Sequence, residues 1–384
     1  MVQESKTIGI VGAGASGCIC AYNLLKSGLD VTLIDASSPL MTLLPTGGGR
    51  CNLAHAIFDF KELAQNYPRG EKFLYSVFSK FSTADTLLLF EELGIDTYIQ
   101  GNGRIFPTSN SAKEVRDIIL SKLKMLGAKF EIGQRVEAIF SLENGFKVKS
   151  KNSKYYFSDV VVAIGGKNGF LKGIDIKTVP FHPSLVGLNS NTDFPKGVVI
   201  KDVYSNDLRI KEDILFTHFG ISGPLVYTIS SLKAFNKFPY KLSFDLYPNE
   251  INLQEILNSN SHKEIKNILS KILPLNFVIY LLKELNIVPE LVGSKIDGKT
   301  RDRILDKIHN FEVVVTSVNK GEETVSAGGY DLDEINSKTM EVKKYPHLYI
   351  IGECLNIDGL CGGFNLQNAW STAFVASETI KSSC

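Results

Sequence analysis

What the chain has little of narrows it first. Six cysteines scattered over 384 residues do not make a disulfide framework. Cys18 and Cys20 fall on a predicted helix, where positions i and i+2 point apart. A reducing compartment, with the cytoplasm as default, is the expectation. There is no CxxC and no paired Cys/His spacing, so no metal site is expected. Lys+Arg 42 against Asp+Glu 41, a formal net charge of +1, gives no basic excess that would point to nucleic acid. The longest apolar runs, Val160 to Gly166 and Leu348 to Gly352, are far shorter than the roughly 18 residues of a membrane span. They read as buried strands, and no membrane partner is expected. The opening MVQESKTIGIVGAG has no basic region followed by a long apolar one, so no signal peptide is read there. No internal repeat or low-complexity linker appears. With 44% apolar and 22% charged residues the composition is that of a globular protein, and 384 residues suggest two or three domains, one of which can be inserted into another.

What is present begins at Lys6. The short β-branched run KTIGIV passes directly into Gly12-Ala13-Gly14-Ala15-Ser16-Gly17, a GxGxxG in its required context of strand, turn and helix. Gly28 ends the predicted helix, and a second buried strand, DVTLI, runs to Asp35. Each glycine has a physical task. Gly12 makes the tight turn, Gly14 lets backbone approach a pyrophosphate, and Gly17 lets the helix pack close to the strand. The helix N-terminus, with Ala15 and Ser16, then receives the anion. Asp35 stands near the roughly 20-residue offset of a carboxylate that holds an adenosine ribose.

A GxGxxG near a chain start suits both NAD enzymes and flavoproteins, and the far end of the chain discriminates. Residues 345–374 contain a buried strand, then Gly352-Glu353, a glycine-rich loop, and a helix from about Asn365. A distant return of this kind suits an extended FAD, whose ribityl chain and ring must be held apart from its adenosine end, with a helix N-terminus against the electron-rich flavin O2. Between the two ends SDVVVAIGGKNGF, residues 158–170, is an apolar strand running through Ala163 into a turn at Gly165. Arg135 to Ile139, then Asn144-Gly145, FKVKS and YYFSD, read as a strand, a hairpin and its continuation.

From about Pro183 to Ser326 the pattern changes to short alternating strands around a helical stretch, Ser259 to Leu285 broken by Pro274, with Arg301 to His309 beyond it. A β-rich insertion with a small helical appendage fits this order. Its lysine-rich helix faces read as solvated surface. FTHFGISGPLVY, residues 216–227, reads first as a strand, a turn and a helix capped near Ser222, with Pro224 tolerated in the first turn. His218 is a candidate general acid, because imidazole titrates near neutrality.

Taken together, GAGASG (12–17), TGGGRCN (46–52), GRIFPTSNSAKEV (103–115), FTHFGISGP (216–224), SAGGYDLDEINSKTME (326–341) and GECLNIDGLCGGFNLQNAW (352–370) carry a resemblance that spans nearly the whole chain. The chain resembles the BaiN/YhiN-like family of flavoproteins, which includes aminoacetone oxidase, within the glutathione-reductase-type FAD superfamily. The resemblance implies an α/β architecture in which a Rossmann-like FAD/NAD(P)-binding domain, residues 1–184 and 326–384, is interrupted by a β-barrel-like insert domain, 185–325, with a helical subdomain at about 251–310. It implies noncovalent FAD, with Asp35 on the ribose, Arg50, Cys51 and Asn52 beside the cofactor, Val136 on the adenine side, and Gly352, Glu353, Gly363, Asn365 and Leu366 at the ribityl and ring side. Three positions depart from the family pattern. Ser37-Ser38-Pro39-Leu40 replaces a glycine-lysine pair, Asn356 stands for aspartate and Thr372 for glycine.

The expected activity is hydride transfer through flavin N5 to or from a small organic molecule, held where the two domains meet. A reductase that passes hydride from NAD(P)H to a conjugated alkene or carbonyl ranks first. An oxygen-using amine or aminoketone oxidase that releases peroxide, and a flavin-binding protein without turnover, stand beside it. No second GxGxxG offers a resident nicotinamide site, so NAD(P)H is expected only as a transient donor. Cys51, Cys354 and Cys361 lack a resolving partner at close spacing, which favours flavin-contact or structural roles over redox ones. Cys51 and His218 are the candidate catalytic residues.

Overall fold

The computed structural model describes residues 6–167, 169–321 and 325–383. The reading of the first few residues as a leaderless start, and Asn168 in the 158–170 stretch, lie outside them. The chain divides into two compact units: Met1–His182 with Val325–Cys384, and Pro183–Thr324.

The larger unit is built on a six-stranded sheet. In chain order its strands are β1 (Thr7–Val11), β2 (Asp30–Asp35), β3 (Lys129–Ile132), β4 (Asp159–Val162), β5 (Glu341–Val342) and β6 (Tyr345–Ile350), arranged β5-β6-β4-β1-β2-β3. All neighbours are parallel except β5 and β6. A parallel sheet is covered on both faces, which demands continuously apolar strands. β4, Asp-Val-Val-Val, is buried at every position, and β1 from Ile8 onward. Helix α1 (Ala15–Lys26) follows β1, and Gly28 just past its end takes φ +78, the left-handed conformation that closes a helix. Helix α2 (Phe364–Ser382) follows β6 and packs on α1, where the buried Asn23 Nδ2 donates to Ser377 Oγ at 3.2 Å. Residues 354 positions apart in sequence thus share one core.

The insert unit holds a seven-stranded sheet with the order 311–315, 240–245, 198–205, 210–216, 220–222, 188–189, 317–318. Its two edge strands, Phe311–Val315 and Ser317–Val318, are separated in the chain by Thr316 alone. A sheet whose opposite edges are consecutive in sequence must curl until they nearly meet. This is the β-barrel-like form expected, and the α/β architecture with its interrupted Rossmann domain is likewise as expected. Phe194, Phe216, Phe277 and Phe311 meet in the insert core, Phe216 and Phe277 at 4.6 Å between ring centroids. The helices differ in detail from the sequence reading. One, Leu253–Ser259, ends at Ser259 instead of starting there, its start set by Asn252, which accepts from Glu255 N at 3.2 Å and donates to the Glu255 carboxylate. The helix Pro224–Leu232 is capped at Gly223, one residue later than expected, with Ser222 still in a strand.

Candidate functional site

Two glycine-rich turns of the larger unit sit at the C-terminal ends of β1 and β6, the parallel strands on either side of β4, the usual place for a ligand in such a sheet. In the first, Gly12 has φ +108, and a Cβ there would lie 2.2 Å from the Ala163 carbonyl oxygen. A Cβ on Gly17 would lie 2.0 Å from the Gly12 oxygen, so α1 packs against the turn at backbone distance. Gly14 differs: nothing comes nearer to its Cβ position than Thr42 Oγ1 at 4.0 Å. Two glycines are needed by the protein itself, and the third leaves open space.

Asp35 ends β2 beneath this turn. Its Oδ2 accepts from Ala13 N at 2.7 Å, and its Oδ1 from Ser37 N and Oγ at 2.8 and 3.0 Å. A carboxylate has about four acceptor positions, so one is left for a ligand hydroxyl. The cavity beside it, about 60 Å³, is lined by Gly12, Asp35, Gln134, Arg135, Val136 and Ile164 among others. Past Asp35, where the glycine-lysine pair is missing, Leu40 takes φ +58 and donates its N–H to Ala13 O at 2.9 Å. A cation arrives there from elsewhere: Arg116, on helix Ala112–Met125, donates to Pro39 O at 3.0 Å.

The second turn, residues 352–363, leads into α2. Gly352 has φ +74, and a Cβ there would lie 2.4 Å from Ser16 Oγ, which sets it directly against the start of α1 beside Ala15. Its N–H donates to Thr372 Oγ1 at 3.0 Å, and that hydroxyl donates to Asn368 O at 2.6 Å. Thr372, a departure from the family pattern, is therefore a brace between helix and turn. Glu353 accepts from Ser326 N at 2.9 Å and approaches Gly165, and its burial pushes the carboxyl up from the usual range. Asn365 uses both ends of its amide on Gly359, accepting from its N and donating to its O at 2.9 Å. Gly363 caps α2 at φ +99, and Leu366 is half-buried on the first turn. Asp358, fully buried, forms a two-pronged ion pair with Arg69.

The TGGGRCN segment joins this second turn. Gly47, Gly48 and Gly49 all have positive φ, and Arg50 folds back, donating to Gly47 O at 3.2 Å with its guanidinium 4.2 Å from the Phe106 ring centroid. Immediately beyond, Leu53 O accepts from Trp370 Nε1 at 2.9 Å, and His55 Nδ1 lies 3.1 Å from Gly362 O with its ring stacked on Phe364. Cys51 is fully buried, and burial pushes its thiol up to about 12. A protonated thiol without access to solvent is not a nucleophile, so the geometry weighs against Cys51 as a catalytic residue. His218 lies in the other unit, exposed, between strands Ile210–Phe216 and Gly220–Ser222, its ring edge-on to Phe219.

Among the described residues, three buried side-chain atoms of the larger unit have no hydrogen-bond partner: Oδ1 of Asn52, Asn356 and Asn368. One is on TGGGRCN, one on the second turn and one on α2. The sequence reading missed Arg69, Asp358 and Arg116. An arginine 289 residues from its aspartate carries no local signal, whereas Asp358 inside a glycine-rich loop was a cue for one.

The HI0933-like protein Rossmann domain family matches residues 6–379. A ribosomal RNA dihydrouridine synthase of Haemophilus influenzae is 30% identical over 412 residues, covering 99% of each chain. A 3-dehydro-bile acid delta(4,6)-reductase of Clostridium scindens is 27% identical over 96% of this chain and 97% of its own. In fold, 3-ketosteroid delta1-dehydrogenase from Sterolibacterium denitrificans superposes with TM-score 0.51 at 12% identity, covering 99% of this chain and 100% of that one. Among the described residues no helix is long and apolar enough to cross a membrane, and no His/Cys/Asp/Glu group could hold a metal ion. With a match over nearly its whole length, the chain belongs to the HI0933-like Rossmann-domain family of flavin-dependent oxidoreductases.

Proposed function

We propose that the larger unit binds FAD noncovalently and that the protein reduces a carbon–carbon double bond conjugated to a carbonyl, with NAD(P)H as transient hydride donor. The observation that carries this reading is the set of three buried, unpartnered amide oxygens on Asn52, Asn356 and Asn368. Each such acceptor costs about 1–3 kcal/mol when left unmade, so three on neighbouring segments call for a ligand that brings donors. The pyrimidine end of a flavin ring offers an N–H donor. The open turn at Gly14 and the N-terminus of α1 suit a pyrophosphate.

In this assignment Asp35 gives its remaining acceptor position to the ribose, and Val136 presents backbone to the adenine. Gly12, Gly14, Ala15, Ser16 and Gly17 face the phosphates, with Ala163 and Gly165 alongside. Gly352, Glu353, Gly363, Asn365 and Leu366 hold the ribityl and ring end, next to Arg50, Cys51 and Asn52. Bound there, FAD supplies a hydride acceptor and donor at N5. Reducing the alkene also needs a proton at the carbon next to the carbonyl, and His218 is the candidate donor.

The names of the two relatives describe one chemistry: both saturate an alkene in conjugation with a carbonyl, in a uracil ring and in a steroid enone. We favour the uracil of an RNA as the substrate. A net charge of +1 averages over the whole chain and does not weigh against a local RNA surface. The protein should purify yellow, release FAD on denaturation, and consume NAD(P)H in step with a saturated product. Release of peroxide without saturated product would overturn the reductase reading, and a colourless protein that takes up no FAD would overturn the whole assignment.

A further inference from the structure

Most exposed large apolar side chains among the described residues stand singly or as an adjacent pair such as Met125 and Leu126, and one group of three is drawn together in sequence. Leu232, Phe235 and Phe238 are 39%, 43% and 39% exposed, and two of the three strongly exposed phenylalanines among the described residues fall within this four-residue spacing. Exposed aromatics clustered in this way mark a contact surface. The local sequence carries charge of one sign, although Glu312 of the neighbouring strand stands beside Lys241. From Ile214 to Phe244 there is no aspartate or glutamate, while Lys233, Lys237 and Lys241 interleave with Phe235, Phe238 and Tyr240. Lys233 Nζ lies 5.7 Å from the Tyr240 ring centroid, and Phe238 stacks on Tyr240 at 5.3 Å. Lys241 is paired with Glu312 at 3.0 Å across the neighbouring strand. Lys237 is exposed.

We infer that residues 232–241 of the insert unit are a docking surface for single-stranded RNA. The proposal rests on the uracil-reductase reading above and names a surface of the insert unit for an RNA of that kind. Aromatic faces that stack bases, with lysines between them for the phosphates, are the two parts from which sequence-tolerant single-strand surfaces are made. An acidic protein partner would meet the lysines but gain little from stacked rings. A steroid-sized substrate would need an enclosed apolar pocket in place of an open, charged ledge.

The test uses the full-length, flavin-loaded protein and a labelled oligouridine of about 12 nucleotides, within the site size of single-strand binders, read by fluorescence anisotropy. Phe235→Ala/Phe238→Ala and Lys233→Ala/Lys237→Ala should each weaken binding by about tenfold or more, and the lysine pair should also flatten the salt dependence by about 1.4 units of log–log slope. An exposed control pair in the other unit, Lys154→Ala/Tyr156→Ala, should leave binding unchanged, and reoxidation of reduced flavin by free cyclohexenone should be unaffected in all variants. Equal RNA affinity in wild type and patch variants overturns the proposal, as does binding to anionic lipid vesicles that matches RNA binding in strength and in its response to the variants. If wild type ignores the oligonucleotide while cyclohexenone still reoxidises the flavin, the docking surface is wrong and the reductase reading stands. If cyclohexenone and RNA both leave the reduced flavin untouched, the underlying reading fails and takes this surface with it.

Discussion

The two glycine-rich turns of the larger unit connect a parallel strand to a helix in the same way, yet they are held by different means. The turn at 12–17 is fixed almost wholly by backbone: Gly12 against Ala163, Gly17 against Gly12, and one carboxylate, Asp35, bound to Ala13 N. The turn at 352–363 is fixed by side chains from outside it: Arg69 on Asp358 and His55 beside Gly362 from far along the chain, and Thr372 of the following helix on Gly352. A short backbone turn can be written in a few adjacent residues. A twelve-residue loop has more conformations to lose, and more braces are needed to hold it.

The comparison can be broken most forcefully at Arg69. Arg69→Met strands the fully buried Asp358 carboxylate, and an uncompensated buried charge costs about 3–5 kcal/mol. A urea midpoint that moves by less than about 1 kcal/mol in stability would show that the second turn does not depend on this pair. Gly17→Ala comes next. Its methyl meets the Gly12 carbonyl at 2.0 Å, and overpacking against backbone costs about 3 kcal/mol, seen as a lower thermal midpoint and poorer flavin retention.

Thr372→Val keeps shape but leaves the Gly352 N–H unsatisfied, an expected loss of about 1–3 kcal/mol that Thr372→Ser should restore. Gly14→Ala sharpens the contrast from the other side. No atom opposes the new methyl, so stability should hold within about 0.5 kcal/mol, while FAD dissociation, followed by the gain of flavin fluorescence, should strengthen about tenfold, near 1.4 kcal/mol. A variant that loses stability without losing flavin would reverse the roles assigned to Gly14 and Gly17.

The smallest effect is one of pH. Burial raises the Glu353 carboxyl in the folded state, so the fold binds a proton there that the unfolded chain has already released. Stability should therefore fall as pH rises from about 4.3, the unfolded value, through the raised folded value, and level off above it. Glu353→Gln removes this slope, which denaturation midpoints measured across that range would detect.

Legibility followed the same divide. Gly12, Gly17 and the strand endings at Val11 and Asp35 were readable because neighbours in sequence are neighbours in space. The α/β class and a β-rich insert were readable because buried parallel strands are continuously apolar and the insert strands alternate, whereas the barrel-like form of the insert came from the family resemblance. Arg69, Arg116 and the brace at Thr372 were not, since their partners lie 289, 77 and 20 residues away, and a side-chain hydrogen bond at such separations leaves no fixed spacing to find. Cys51 stood in the sequence as a catalytic candidate, although the lack of a resolving partner favoured a flavin-contact or structural role, and its burial, with the thiol pushed up to about 12, weighs on the same side. The helix ending at Ser259 was misplaced although its cap, Asn252 with Glu255, stood in plain sight.

The central claim is that this unit holds FAD and passes hydride to a conjugated alkene. The measurement that tests it most directly is an anaerobic half-reaction, in which the purified protein is reduced stoichiometrically with NAD(P)H and then mixed with a uridine-containing RNA or with cyclohexenone. The account predicts that the flavin's visible absorbance bleaches with NAD(P)H and returns as one equivalent of saturated product forms. A flavin that stays reduced with every conjugated alkene, yet reoxidises on admitting oxygen with stoichiometric peroxide, would contradict it.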